Sequence, residues 1–279
     1  MTRIAVIGHV EHVTIGSVAA LPAPGDIVHL DAPRVFPGGG GGVAFAQLVR
    51  CATEVLLYTA IGDDDAGRYV EATLAATGAR VFLARRAQPH TRDLVLVTPG
   101  GQRTIVVVGA PLHPRHSDAL PWAELATCDA VYFTAQDPEL LRGARAARVL
   151  VVTARRREAL VRSGVQADVV VGSLGDPREA STLADYPAAP AALVLTDGAQ
   201  GGQIETRAGV ARFAPTAAPS PIVGSYGAGD SFAGALTYFL ATGCDALEAA
   251  SRAAPYGAAV LSSLVPLDAQ LGLPRPRVS

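Results

Sequence analysis

Short apolar runs that read as buried strands alternate along this chain with amphipathic or alanine-rich runs that read as helices, and few folds admit that order. Strands are expected at Thr2 to Gly8, Glu54 to Thr59, Val81 to Ala84, Ala130 to Phe133, Val149 to Val152, Asp168 to Val171 and Ala192 to Thr196. Helices are expected at Asp65 to Ala76, Pro138 to Ala146 and Arg156 to Arg162, with two more opening at Asp230 and Asp245. Strands separated by helices pair in parallel, because each crossover returns the chain over a sheet face, and both faces are then covered. The pattern predicts a doubly wound, mostly parallel α/β sheet whose ligands bind beyond the carboxyl ends of the strands. Two hairpins interrupt it: Leu94 to Val97 with Ile105 to Val108 around Pro99-Gly100-Gly101, and Ile204 to Phe213 around Gly209. No internal repeat or low-complexity linker divides the 279 residues, so the chain reads as a single domain, 1–279.

Composition narrows the function classes. The chain is 49% hydrophobic but only 5% aromatic, so a large core must be filled by Ala, Val and Leu. No apolar run reaches the roughly 20 residues of a membrane span, and no basic stretch followed by a signal-type apolar run opens the chain; no membrane is expected, and the location is read as cytoplasmic. A net charge of −2, from 23 basic and 25 acidic residues, offers nucleic acid no general attraction. The triplet Arg155-Arg156-Arg157 reads as a solvated helix start. Cys51, Cys128 and Cys244 are odd in number and far apart, which fits neither a disulfide framework nor a zinc pattern. His9 with His12, and His113 with His116, lack the helical spacing of a zinc hydrolase. The run Gly38 to Gly42 sits too far into the chain for a dinucleotide fingerprint, and no Gly-Lys-Ser/Thr follows it.

Gly227-Ala228-Gly229-Asp230, followed by the helix-like run Ser231 to Ala241, carries the most chemistry. Small residues at a helix start let backbone N–H groups converge on an anion, and the helix dipole adds positive potential there. An adjacent carboxylate that accepts a proton from an attacking hydroxyl completes what phosphoryl transfer needs. The alternative is that Asp230 only caps the helix.

The stretch Gly224-Ser225-Tyr226-Gly227-Ala228-Gly229-Asp230-Ser231-Phe232 resembles the second signature of the ribokinase family, the PfkB-type carbohydrate kinases, Asp-Thr-x-Gly-Ala-Gly-Asp-x-Phe. Gly224 and Ser225 depart from it. Further segments are similar in the family's order: Pro24-Gly25-Asp26, Pro37-Gly38-Gly39 before Val43 to Val49, Gly62-Asp63-Asp64-Asp65-Ala66-Gly67, Gly100 to Thr104, and Thr196 to Gly202. The resemblance implies a ribokinase-like fold with helices on both faces of the sheet and a small β lid formed by about 11–36 and 88–109. It also implies an ATP-dependent kinase acting on a hydroxyl of a sugar-like compound, with a nucleoside kinase or a non-catalytic ligand-binding relative as alternatives.

By the same resemblance Asp230 is the general base, and Gly227, Ala228 and Gly229 form the anion hole. Thr196, Gly198 and Gly201 lie along the nucleotide, with Ala254, Gly257 and Ala258 near its adenine. The family's Asn-x-x-Glu falls on Ser173 to Asp176, so Asp176 would help order Mg²⁺ through water. On the acceptor side the implied residues are Glu11, Gly38, Gly39, Arg103 and Asp230. The family's acceptor Asp is absent from His9 to Val13, where Glu11 supplies a carboxylate, and its Asn is replaced within Gly40 to Val43, a run expected to leave room. The alternatives are a solvent-facing Glu11 and solvated arginines at Arg92 and Arg103. Gly224 removes a carboxylate tied to monovalent-cation binding, so potassium dependence is not carried over. A homodimer through the lid is the expected assembly.

Overall fold

The computed structural model describes residues 2–50 and 54–272; Cys51 lies outside them. The chain runs β1 (Arg3–Ile7), β2 (Glu11–Ser17), β3 (Asp31–Gly38), α1 (Gly39–Val49), β4 (Glu54–Gly62), α2 (Asp65–Ala75), β5 (Arg80–Arg86), β6 (Arg92–Val97) and β7 (Arg103–Val108). It continues through β8 (Ala130–Phe133), α3 (Pro138–Ala144), β9 (Val149–Thr153), α4 (Arg157–Ser163), β10 (Val169–Ser173), β11 (Ala192–Thr196), β12 (Gly202–Thr206) and β13 (Gly209–Phe213). Three helices follow: α5 (Ala228–Ala241), α6 (Ala246–Ala259) and α7 (Pro266–Ala269).

The main sheet has nine strands in the order β13-β12-β11-β10-β9-β8-β1-β4-β5. From β11 to β5 every pairing is parallel; β12 and β13 add an antiparallel edge. Strand alternation sorts the core onto two faces. Ile4 and Val6 pack with Phe45, Leu48, Phe232, Leu236 and Ala253 on one face, whereas Ala5 and Ile7 pack with Leu140, Leu141 and Leu160 on the other. Helices therefore cover both faces, as the uninterrupted apolar strands require. The expected elements are present with ends shifted by a few residues. Among them, β4 continues to Gly62 and α5 begins at Ala228, two positions before Asp230.

A second sheet, in the order β3-β2-β6-β7, stands over the carboxyl ends of the main strands. Its inner face contributes Val13, Ile15, Phe36, Val95 and Val97, which pack on Val43, Tyr226 and Val265 of the main body. The turn between β4 and α2 anchors it. The Asp64 carboxylate caps α2 by accepting from Gly67 N–H (3.0 Å), accepts also from His90 N–H (3.2 Å), and pairs with Arg92 at 2.7 Å. Arg92 is thereby committed to Asp64 rather than to a ligand.

This turn depends on glycine. A Cβ on Gly67 would sit 2.0 Å from the Gly62 carbonyl oxygen, and backbone cannot retreat as a flexible side-chain tip can. Gly67→Ala is expected to destabilise the fold by about 1–3 kcal/mol, the usual range for overpacking. Urea unfolding followed by circular dichroism measures the loss.

Candidate active site

Consecutive parallel strands deliver polar residues to one edge. His9 follows β1, Thr134 follows β8, Arg155 and Arg156 follow β9, and Ser173 ends β10. The main sheet and the starts of α1 and α5 enclose this edge, with the second sheet above.

The helix α5 opens on Gly227, whose φ of 77° places it in the left-handed region, and no side chain caps the helix. A Cβ on Gly227 would lie 2.9 Å from Pro266 Cγ and 3.0 Å from Val43 Cγ1, so both conformation and space demand glycine. The first intrahelical bond runs from Ser231 N–H to the Gly227 carbonyl at 2.9 Å. The N–H groups of Ala228, Gly229 and Asp230 thus precede the helical ladder and are open to an anion. Asp230 is the third residue of the helix rather than its cap, which sets aside the capping alternative. Burial and the negative field of Glu179 push its carboxyl up to about 6, against the opposing charges of Arg103 and Arg155.

Across from it, α1 begins inside the glycine run. A Cβ on Gly40 would lie 3.1 Å from Thr134 Oγ1, 3.2 Å from Asp230 Oδ1 and 3.4 Å from His9 Cε1; one on Gly39 would lie 3.0 Å from Glu11 Oε2. Glu11 and Asp230 therefore bracket Gly39 and Gly40. Contrary to the expectation from sequence, the glycines do not leave room for a missing side chain. His9, Val10, Thr134 and Asp230 fill that space, and Gly41 approaches the His9 carbonyl oxygen so closely that a Cβ would sit 2.6 Å from it. The first N–H groups of α1 are also used: Gly39 donates to the Tyr226 hydroxyl (2.9 Å), Gly40 to His9 Nε2 (3.2 Å) and Gly41 to the His9 carbonyl (3.0 Å). Gly38 lies beside them at the end of β3, where a Cβ would strike Val13 and the Tyr226 hydroxyl.

Glu11 is buried rather than solvent-facing, with 7% of its surface exposed. Burial, its hydrogen bond to Asp93 and the Asp93 charge raise its carboxyl far above the usual range, with Arg156 pulling the other way. Arg103 Nη1 donates to Ser225 Oγ (3.2 Å), and its charge reaches Asp230. Gly224 is buried, and a Cβ there would lie 3.0 Å from the Ser263 carbonyl, which occupies the space a longer side chain would need.

The arginine triplet is not simply solvated. Arg156 is half-buried, donates from Nε to the Thr134 carbonyl (2.9 Å), and its charge acts on His9, Glu11 and His113. Arg155 pairs with Asp176 at 2.5 Å and Glu179 at 2.7 Å. Asp176 is further held by Arg178 at 3.4 Å, and these bonds draw its carboxyl down to about 2 against the effect of burial. Asp176 thus sits beside the site in an arginine-bound pair with Glu179, and it is Glu179 whose field reaches Asp230. Sequence reasoning missed Glu179, Arg156, Asp93 and His113. His9 and His113 meet with ring centroids 5.0 Å apart and planes tilted by 60°, and burial lowers them to about 3 and about 2, so both are neutral at physiological pH. His12 instead meets the Tyr69 ring edge, so neither histidine pair seen in sequence comes together as a pair.

On the other side, Thr196 closes β11 with its hydroxyl donating to the Gly172 carbonyl (3.3 Å), and Gly198 lies in the exposed turn beyond it. Gly201 is buried at φ 80°, where a Cβ would collide with the Phe213 carbonyl, so its glycine is required by the β11–β12 turn itself. Gly257 meets the start of α5: its Cβ would lie 3.1 Å from the Ala228 carbonyl. Ala258 lines an open groove of about 600 Å³ between the 216–219 segment and α6, and Ala254 lies one helical turn before it.

An uncapped glycine-led helix start, a half-buried carboxylate within its first turn and polar groups at the strand carboxyl ends thus meet at one edge of an α/β protein. The sequence pattern of the pfkB family carbohydrate kinases matches residues 1–160 and 151–266, and the chain belongs to that family. No curated protein sequence matches it significantly. Among solved structures it is similar to the ribokinase of Thermotoga maritima (TM-score 0.78, 17% identity, 98% of this chain and 97% of that chain covered). It is also similar to the ribokinase of Arabidopsis thaliana solved with ribose and ATP (0.74, 15%, 97% and 96%) and to the nucleoside kinase of Methanocaldococcus jannaschii (0.73, 14%, 97% and 95%). The ribokinase-like fold expected from sequence is the fold observed. No helix among the described residues is long and apolar enough to cross a membrane.

The raised Asp230 carboxyl has a consequence for stability. An aspartate held above its unfolded value favours folding fully below the unfolded pKa and loses that contribution as pH rises through the folded value of about 6. Asp230→Asn, which never ionises, is expected to melt higher than wild type at pH 8, with the difference vanishing near pH 4. Thermal denaturation between those values checks the sign.

Proposed function

We propose that the chain is an ATP-dependent kinase that transfers the γ-phosphate to a hydroxyl of a sugar or sugar-like small molecule in the cytoplasm. The observation that carries this reading is Asp230 in the first turn of an uncapped α5, its carboxyl near 6 and facing the cleft edge beside Gly40. A base with a pKa just below neutral is ionised yet basic enough to take a hydroxyl proton. The N–H groups of Ala228 and Gly229, set by Gly227, would stabilise charge on the transferring group. Thr196, Gly198, Gly201, Ala254, Gly257 and Ala258 form the nucleotide side, Gly201 and Gly257 by shaping its walls rather than by touching the ligand. Glu11, Gly38, Gly39 and Arg103 form the acceptor side, beneath the second sheet acting as a lid. A nucleoside acceptor is the second reading, in keeping with the nucleoside kinase among the similar structures. Retention of the complete Asp230 and anion-hole constellation argues against a non-catalytic relative.

Asp176, with Glu179 beside it, would order Mg²⁺ only through water: both carboxylates are paired with Arg155 and Asp176 also with Arg178, so the ion would keep its hydration and take its direct ligands from the phosphates. When bound, that ion would neutralise phosphate charge. The lid's outer strand β7 exposes Ile105, Val106, Val107 and Val108 at 40–54% each, and the proposal includes a homodimer that covers this edge. Val107→Lys is expected to shift the assembly toward monomer in sedimentation velocity without unfolding it.

Asp230→Asn is expected to lower turnover by about 10²–10⁴-fold while the nucleotide still binds, the range for loss of a general base. Steady-state kinetics together with nucleotide titration decide this; near-wild-type turnover would remove Asp230 from the chemistry. Glu179→Gln removes a negative charge that raises Asp230, so the acidic limb of the pH–rate profile should move to lower pH. A limb that stays in place would show that another group sets it.

A further inference from the structure

Glu11 has a buried carboxyl partner that lies outside every motif in the sequence. Asp93 stands on β6 opposite Val13 of β2 in a parallel pairing, so its side chain shares the inner face of the lid with Val13 and Glu11. It is 4% exposed and hydrogen-bonds Glu11, and its buried Oδ1 has no partner other than that carboxyl. Two carboxylates cannot both ionise in contact away from water, so the pair retains one proton. Arg156 supplies one positive charge toward it. Arg156 offsets the one charge that the pair keeps, so what the pair offers a ligand is a carboxyl oxygen that accepts a hydrogen bond rather than a charge to be neutralised.

Resting on the kinase reading above, we propose that Asp93 and Glu11 act as a proton-sharing carboxyl pair that binds uncharged hydroxyl groups of the acceptor and so sets acceptor specificity. An acceptor hydroxyl would donate to an oxygen of the pair on its Gly39 side, while the shared proton stays in the hydrogen bond between Glu11 and Asp93. The position agrees with this role, because Glu11 Oε2 borders Gly39 while Asp230 borders Gly40. The acceptor is then held at one end by the pair and offered to the base at the other. The groups facing the pair are neutral His9 after β1, the Tyr226 hydroxyl before α5, Asp230 on α5 and Arg156 before α4. Tyr226 is pushed well above its ordinary value by burial, which leaves the pair itself as the source of an alkaline transition. As pH rises the shared proton is lost, the two carboxylates repel, and acceptor binding weakens.

Asp93→Ala is expected to reduce kcat/KM for the acceptor by roughly 10–100-fold, chiefly through KM, with the KM for ATP unchanged. Asp93→Asn keeps the shape and lets its amide donate to an ionised Glu11. It should hold acceptor KM within a few-fold at neutral pH and abolish the alkaline rise in KM. An unchanged acceptor KM in Asp93→Ala, an alkaline rise that persists in Asp93→Asn, or an amino sugar binding more tightly than its hydroxyl counterpart would each overturn the proposal. Thermal shifts with a panel of sugars and polyols, without nucleotide, keep the two readings apart. Wild-type protein stabilised by a polyol that fails to stabilise Asp93→Ala upholds the pair even if no phosphate is transferred, an outcome that would sink the kinase reading alone. Phosphate transfer with the acceptor KM of Asp93→Ala intact would sink the pair alone.

Discussion

Backbone-distance packing among α1, α5 and α6 is the constraint on which the site rests. A Cβ on Gly234 of α5 would lie 2.9 Å from the Ala44 carbonyl of α1, and Gly257 of α6 approaches the Ala228 carbonyl just as closely. Gln270 ties the same junction, donating to the Val43 carbonyl (2.9 Å) and to Ser231 Oγ (3.0 Å). Any larger side chain at these crossings would back the first turn of α5 away from α1 and pull Asp230 off Gly40. Two helix starts thus converge on one place, but they are not equivalent. Tyr226 and His9 already occupy the leading N–H groups of α1, whereas no side chain caps α5. The helix start whose positive end no side chain satisfies is that of α5, which is why the proposed anion site falls there.

The same closeness explains the electrostatics. Asp230 sits within a helix's first turn, where the dipole favours its charge, yet burial and Glu179 outweigh that benefit and raise it. Arg103 and Arg155 keep the rise moderate. Arg155 does so while bound to Glu179 and Asp176, so the triad both supplies and limits the negative field at the base. A change at any one of the three alters the others' effect on Asp230, and their contributions are not expected to add.

The architecture was legible because uninterrupted apolar strands between helices leave a covered parallel sheet as their natural burial. That Asp230 would stand at a glycine-led helix start was legible from the three small residues before it. Other residues were hidden for identifiable reasons. Arg156 belongs to a run of three arginines, and nothing in such a run says that its middle member turns under the Thr134 carbonyl. Asp93 follows Arg92 at the start of a strand that is apolar beyond them, and its proposed role comes from β2 lying beside it, a pairing between segments some eighty residues apart in the chain. The glycine run misled in the opposite direction: absent side chains suggested space, but their absence is what lets His9, Thr134 and Asp230 close in.

The second sheet and the turn that leads into α5 are joined at several points. Ser225 donates to the Gly101 carbonyl (2.8 Å) and accepts from Arg103, while Tyr226 accepts from Gly39 and packs edge-on against Phe36, 5.8 Å between ring centroids. These contacts connect the β6–β7 turn and the end of β3 to the residues immediately before Gly227. These same contacts would have to strain or break if the second sheet moved away from the main body. Gly224 fits this arrangement. With the Ser263 carbonyl against it, the backbone before Ser225 is pinned on the body side, and the give has to come from the β6–β7 turn, where Gly100 and Gly101 both adopt positive φ.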